Sequence, residues 1–300
     1  MMRARTYGLQ PNCAIFDPQR FNICLDISTI SGEVEPWFDI VNEAAARWER
    51  IITSDRWGPW SPQILSYLED YTIATEIPQT GVDDIYISIY EIDIDGPGGL
   101  FALAGPDMLR GQEIVAGSVQ LDPNDIEDAI ENNILLPLLM HEIGHVLGLG
   151  TLWDSYGLKD GDMYVGKHAL EAWHAEIGCS GSLPLSGNHW NEDCIQGEFM
   201  TPLFRYNRPA PISPLTLGAL EDLGYTVNRD KGDVFGLADL GECGAYCPET
   251  RRLRAIESNN STSLLPSRLS SKAEEELLRS VSYFYSQRSV KENMPELVSA

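Results

Sequence analysis

Apolar positions along this chain follow two periods, and the changes from one to the other mark out its elements. Phe21 to Ile30 alternates as a strand does. Asp84 to Ile94 alternates more strictly, with Ile85, Ile87 and Ile89 on one face and then, after a one-residue slip, Tyr90, Ile92 and Ile94. Ile114 to Leu121 reads as a further strand. Helical spacing appears over Glu35 to Ile52, where Trp37, Ile40, Val41, Ala44, Trp48 and Ile51 share a face. Asp122-Pro123 has the form of an N-cap with proline at the first helical position, which predicts a short helix through Asn132. Leu135 to Leu149 is the most apolar helical stretch, and Gly148 and Gly150 allow it to end in a left-handed residue. Strands mixed with helices in this way predict an α+β architecture.

The pattern fades near residue 248. Ser258 to Ser271 is polar and rich in Ser and Asn, as linkers are, and Lys272 to Ser289 could form a helix with Leu277, Leu278, Val281 and Tyr285 on one side. Four segments are therefore expected: an extension over 1–20, a catalytic subdomain with the apolar helix over 21–149, a looser subdomain over 150–248, and a flexible polar tail over 249–300. Asn259 and Asn260 each begin an N-x-S/T sequon, which matters only in a secreted chain.

Charge narrows the function. Forty-five acidic and 21 basic residues give a net charge of −24. Up to residue 248 there are 38 acidic and 13 basic residues, so the tail is close to neutral. A nucleic-acid binder needs a basic footprint, and an anionic membrane a polybasic patch; neither is present. The longest apolar run, Ile134 to Met140, is interrupted by Pro137 and falls well short of the roughly 18 residues that cross a bilayer. No transmembrane segment is expected. The six cysteines form three sequence-local pairs, Cys13 with Cys24, Cys179 with Cys194 and Cys243 with Cys247, which read as disulfides of an oxidising compartment; unrelated buried thiols, or pairing elsewhere, are the alternatives. Met1 to Phe16 shows no apolar signal-peptide core, so composition and N-terminus point to different compartments.

The chemistry lies in His141-Glu142-Ile143-Gly144-His145. Imidazoles four residues apart on a helix are offset by about 40° and point the same way. A catalytic zinc takes three protein ligands and keeps one position open, and a glutamate beside the first ligand can serve as general base. The apolar residues around the motif argue against two ordinary surface histidines, because polar groups buried among leucines need partners. Two ligands are not enough. Asp154, His168, Glu171, His174, Glu176 and His189 are the downstream candidates for a third, since Thr151 stands where a compact metzincin would have histidine.

HEIGHVLGLGTLW, followed after an insertion by His189-Trp190-Asn191-Glu192 and then by Glu198-Phe199-Met200-Thr201-Pro202, resembles the leishmanolysin family of metzincin metallopeptidases. Further similarity runs through Gly98-Gly99-Leu100, Ala104-Gly105-Pro106, Leu215-Thr216 and Leu220 to Tyr225, so that it covers roughly residues 21–230. The resemblance implies a zincin-like α+β fold, zinc ligands His141, His145 and His189, Glu142 as base, and Met200 in a Met-turn beneath the metal. It also implies that an extended substrate lies along an edge strand, expected near Val115 to Leu121, and that the protein is exported or held at the cell surface. Phe199 replaces the leucine that usually precedes the methionine.

Helix geometry weighs the rivals. His168 and His174, six apart, face different ways, and neither Glu171 nor Glu176 has an acidic residue four positions later as a gluzincin would. Cys179 and Cys194 bracket His189, so a bond between them would hold the third ligand. Calcium at Asp93, Asp95, Asp122, Asp125 and Asp128 lacks the spacing of a known loop. The expected function is a zinc-dependent metalloendopeptidase acting on protein or peptide substrates. The alternatives are a gluzincin-type peptidase with a carboxylate ligand and a non-catalytic adhesion or binding protein stabilised by its metal.

Overall fold

A strand buried on both faces carries few polar residues, and Ile85 to Ile89 is buried throughout with Ser88 as its one small polar position. A computed structural model describes residues 20–27, 30, 35–53, 84–203 and 210–250. The expected extension (1–20), apart from Arg20, and the tail beyond residue 250 lie outside the described residues. Contacts divide the rest into two compact units. One holds the described residues up to Glu131 with Leu138–Leu147; the other holds Asn132–Pro137 and the described residues from Gly148 onward.

The first unit is built on a four-stranded sheet of β1 (Ile23–Asp26), β2 (Ile85–Glu91), β3 (Ala102–Arg110) and β4 (Glu113–Leu121), in the order β1-β2-β4-β3. β1, β2 and β4 are parallel, with Ile23 opposite Ile85 and Ile87 opposite Gly117, and β3 is antiparallel to β4, with Ala104 opposite Val119. Helix α1 (Glu35–Ile51) buries Val41, Ala44, Trp48 and Ile51 as its period predicted. The Trp48 indole N–H donates to the Met140 carbonyl at 2.9 Å. A side chain at Gly117 would overlap Val146, so this glycine lets the helix that carries the two-histidine motif lie close against β4.

Two expectations change here. β3 was not read in the sequence, because Gly105 and Pro106 break its alternation, and its register shifts between Pro106 and Leu109. It is nevertheless the outer strand, so β4 (the strand expected near Val115 to Leu121 to be the edge) is flanked on both sides. Asp122 is also not a simple helix cap. Its fully buried carboxylate accepts from the backbone N–H groups of Ile94, Asp95, Gly96 and Asn124 at 2.9–3.2 Å and from the Asn124 side chain. This gathering of donors turns the chain out of β2, which is why Ile92 ends up exposed, and helix α2 starts only later (Ile126–Glu131). Burial works against ionisation of Asp122, but the bonds from Asn124, Asp95 and Ile94 outweigh it and hold the carboxyl at about 2.

Helix α3 (Leu135–Val146) carries the His-Glu-His motif. The second unit contains the short strands β5 (Lys159–Asp160), β6 (Met163–Tyr164), β7 (Leu183–Ser186) and β8 (His189–Trp190), paired in that order and antiparallel. Helix α4 (Lys167–Glu171), which continues as a π-helix over Ala172–Ile177, crosses α5 (Pro214–Asp222) where Gly218 meets the Ala169 backbone and has no room for a side chain. Asp222 accepts from the N–H groups of His168 and Ala169 and from the Tyr164 hydroxyl. Trp153, Tyr164 and Trp190 pack ring against ring, 4.8–5.1 Å apart, at the centre.

Disulfides join Cys179 to Cys247 and Cys194 to Cys243. The expected Cys179–Cys194 and Cys243–Cys247 pairs are therefore incorrect. One helical turn, closed by Cys247 N–H on the Cys243 carbonyl, sets Cys243 and Cys247 side by side, while the Gly241 and Glu242 N–H groups donate to Cys194 and Asp193 and lay this segment along the chain. Each sulfur then meets a distant partner more readily than its neighbour in sequence. Cys24 is disulfide-bonded; the Cys13–Cys24 expectation falls on Cys13, outside the described residues. Such bonds persist in oxidising, extracellular or secreted environments, and no described helix is long and apolar enough to cross a membrane.

Non-reducing peptide mapping is expected to recover Cys179 linked to Cys247 and Cys194 to Cys243. On the loop-entropy account, closing a loop of 49 residues stabilises by about 4 kcal/mol, so replacing both Cys194 and Cys243 with alanine should lower the unfolding free energy on that scale. Asp122→Ala is expected to cost roughly 2 kcal/mol at neutral pH, the worth of charge-assisted hydrogen bonds. Because the folded carboxyl titrates below its unfolded value, this contribution is present above about pH 4 and fades toward pH 2. Denaturant unfolding of both proteins across that range measures it.

Candidate metal centre

The helical pair of histidines and His189 arrive by different local causes. His141 and His145 share a face of α3 because they are one helical turn apart, and their rings meet edge to face with centroids 4.6 Å apart. α3 ends at Val146, and Gly148 and Gly150 take positive φ values of 99° and 76°. Gly150 has a second constraint: a side chain there would run into the backbone carbonyl of Asn188. Glycine thus lets the chain leaving the helix pass directly against the residue before His189. His189 stands in β8, in register with Ser186 of β7.

His141, His145 and His189 come together. One nitrogen from each lies within 4.8 Å of the others, and all three residues are buried. Among the described residues this is the one group of histidine, cysteine or acidic side chains arranged so that it could hold a metal ion. The rivals are elsewhere. Asp154 is exposed. His168 faces Glu171 and Glu221, His174 binds the Cys179 carbonyl at 2.7 Å, and Glu176 pairs with Arg229. The aspartates at 93, 95, 122, 125 and 128 form no such group, and Asp122 and Asp125 are engaged with the backbone of the 94–98 loop.

The donor set fits a borderline-soft divalent ion, since three neutral imidazoles suit zinc better than calcium or magnesium, which prefer oxygen. Glu142 supports the fit. Only 5 % exposed, it has no hydrogen-bond or ion-pair partner among the described residues, and burial pushes its carboxyl up to about 8. A buried carboxyl left in that condition is costly, and a nearby cation would favour its ionised form.

Met200 is fully buried in a turn closed by Thr201 N–H on the Glu198 carbonyl, and its own carbonyl accepts from Trp190 N–H. Sequence reasoning noted Glu198 only as part of a motif. The structure gives it more to do, because its buried carboxylate accepts from Met200, Ser213 and Thr216. Burial raises its pKa, and those hydrogen bonds oppose the rise. The signal was an acidic residue directly before Phe199 and Met200, and its partners lie up to 18 residues downstream.

Compared with known proteins, the chain matches no family model and no curated sequence.

Replacing His141, His145 or His189 with alanine is expected to weaken zinc binding by more than the ~10–100-fold that follows loss of a supporting hydrogen bond. His168→Ala and His174→Ala should bind as the parent does. Chelator competition on the purified variants tests both statements.

Proposed function

We propose that the protein is a zinc-dependent metalloendopeptidase of the leishmanolysin-like, metzincin type. The observation that carries this reading is the buried His141, His145 and His189 group with a buried carboxyl, Glu142, that has no partner among the described residues and lies between the two helical histidines in sequence. The three imidazoles would hold the ion. When bound, zinc polarises a carbonyl and acidifies water, which is the Lewis-acid chemistry that peptide hydrolysis needs at neutral pH.

Glu142 would handle the protons. Its carboxylate takes one from the attacking water as the oxygen adds to the peptide carbonyl carbon, then passes it to the amide nitrogen as the C–N bond breaks, leaving a carboxylic acid and an amine. Next to the first ligand on a helix, it would serve the site without having to be a ligand itself. Met200 would be the Met-turn residue of the resemblance, buried and tied by its carbonyl to Trp190, the neighbour of His189. An extended peptide would add to the outer strand, β3, through main-chain hydrogen bonds. Proteins or peptides are the substrates. The disulfides suit work outside the cell or on its surface.

Glu142→Gln is expected to keep zinc at parental stoichiometry and lower kcat/KM on casein or a fluorogenic peptide by at least ~10²-fold, the usual scale of general-base catalysis. Undiminished hydrolysis by that variant would sink the assigned role. A parent protein that binds zinc yet cleaves nothing, with or without chelator, would instead favour a structural metal.

A further inference from the structure

His189 is the ligand that helix geometry does not place. It sits in a two-residue strand, β8, beside Trp190, so its position depends on what holds Trp190. Two groups do. The Trp190 backbone N–H donates to the Met200 carbonyl at 3.0 Å, and the indole N–H donates to the Thr216 hydroxyl at 2.9 Å.

Both groups lead to one carboxylate. The first oxygen of Glu198, Oε1, accepts from the Thr216 hydroxyl at 2.6 Å and from the Ser213 hydroxyl and backbone N–H at 2.6 and 3.1 Å. The second, Oε2, accepts from Met200 N–H at 2.6 Å. The directions of these bonds follow from chemistry. An indole N–H can only donate, so Thr216 accepts from Trp190 and its one proton goes to Glu198. The Ser213 hydroxyl accepts from the N–H groups of Leu215 and Thr216 as the N-cap of α5, so its proton also goes to Glu198. Four donors meet one carboxylate, which is 1 % exposed.

We infer that Glu198 is the positioning residue for the third metal ligand, holding Trp190, and through it His189, by way of Met200 on one side and Thr216 on the other. This rests on the metal-binding part of the proposed function and not on peptidase activity. Glutamine would keep the shape but place an amide NH₂ against a donor, either at Met200 or at the Ser213 and Thr216 cluster, so one arm must loosen. Thr216→Val cuts the indole arm alone and leaves the other bonds to Glu198 in place.

Zinc affinity, read by competition with a chromophoric chelator at a temperature where every variant is folded by circular dichroism, tests the assignment in a double-mutant cycle with His189→Ala. Glu198→Gln is expected to weaken zinc binding ~10–100-fold, and Thr216→Val about threefold to tenfold, the worth of one neutral hydrogen bond. In the His189→Ala background either change should matter less than twofold, because the ligand they position is gone. Parental affinity in both single variants overturns the inference, as does an equal loss with and without His189, which marks a general structural role. If Glu198→Gln does not fold, the Thr216→Val cycle decides alone. A parent chain that binds no zinc removes the metal reading itself, and this inference with it.

Discussion

Buried polar groups must be satisfied, and much of this interior is arranged around that constraint. Three imidazoles and the carboxylates of Glu142, Glu198 and Asp122 all lie in the interior, where each unpaired group would cost several kcal/mol. Asp122 and Glu198 are answered by convergent N–H and O–H donors, and each thereby organises backbone: one the loop leaving β2, the other the turn at Met200 and the start of α5. Glu142 has no such answer among the described residues. That contrast within one chain separates two carboxyls that build structure from the one on which the proposed function rests.

Glycine contributes where approach is close. Gly117 admits Val146 against the sheet, and Gly150 admits the Asn188 carbonyl against the chain leaving α3. Neither residue carries chemistry, yet both set backbone near histidines to within the width of a methyl group. Through Gly150 the end of the motif helix and the approach to His189 share a contact between residues far apart in sequence.

Legibility in the sequence followed the range of the interactions. α1 and α3 were readable because helical periodicity is local, and His141 and His145 could be placed on one face from spacing alone. β2 was readable for the same reason, although its expected continuation to Ile94 was cut short by Asp122, a partner some 28 residues away. β3 was hidden by Gly105 and Pro106, and it is tolerable as a strand only because it is the outer one. The disulfides do not follow proximity in sequence, because a helical turn at 243–247 presents both sulfurs to partners 68 and 49 residues distant.

The sequence by itself determined the two-histidine motif with its glutamate, the apolar helix that buries them, and an acidic chain with an even number of cysteines. All of these are encoded in composition or in spacings of a few residues, where backbone geometry leaves little freedom. Only the tertiary structure decided that His189 joins His141 and His145 while His168, His174 and the acidic rivals do not, which cysteines meet, which strand lies outermost, and that Glu198 rather than a disulfide between Cys179 and Cys194 supports the third histidine's neighbour. Those outcomes depend on chain reversals and on buried donors finding one acceptor. Local periodicity carries no record of a contact whose two halves are written tens of residues apart.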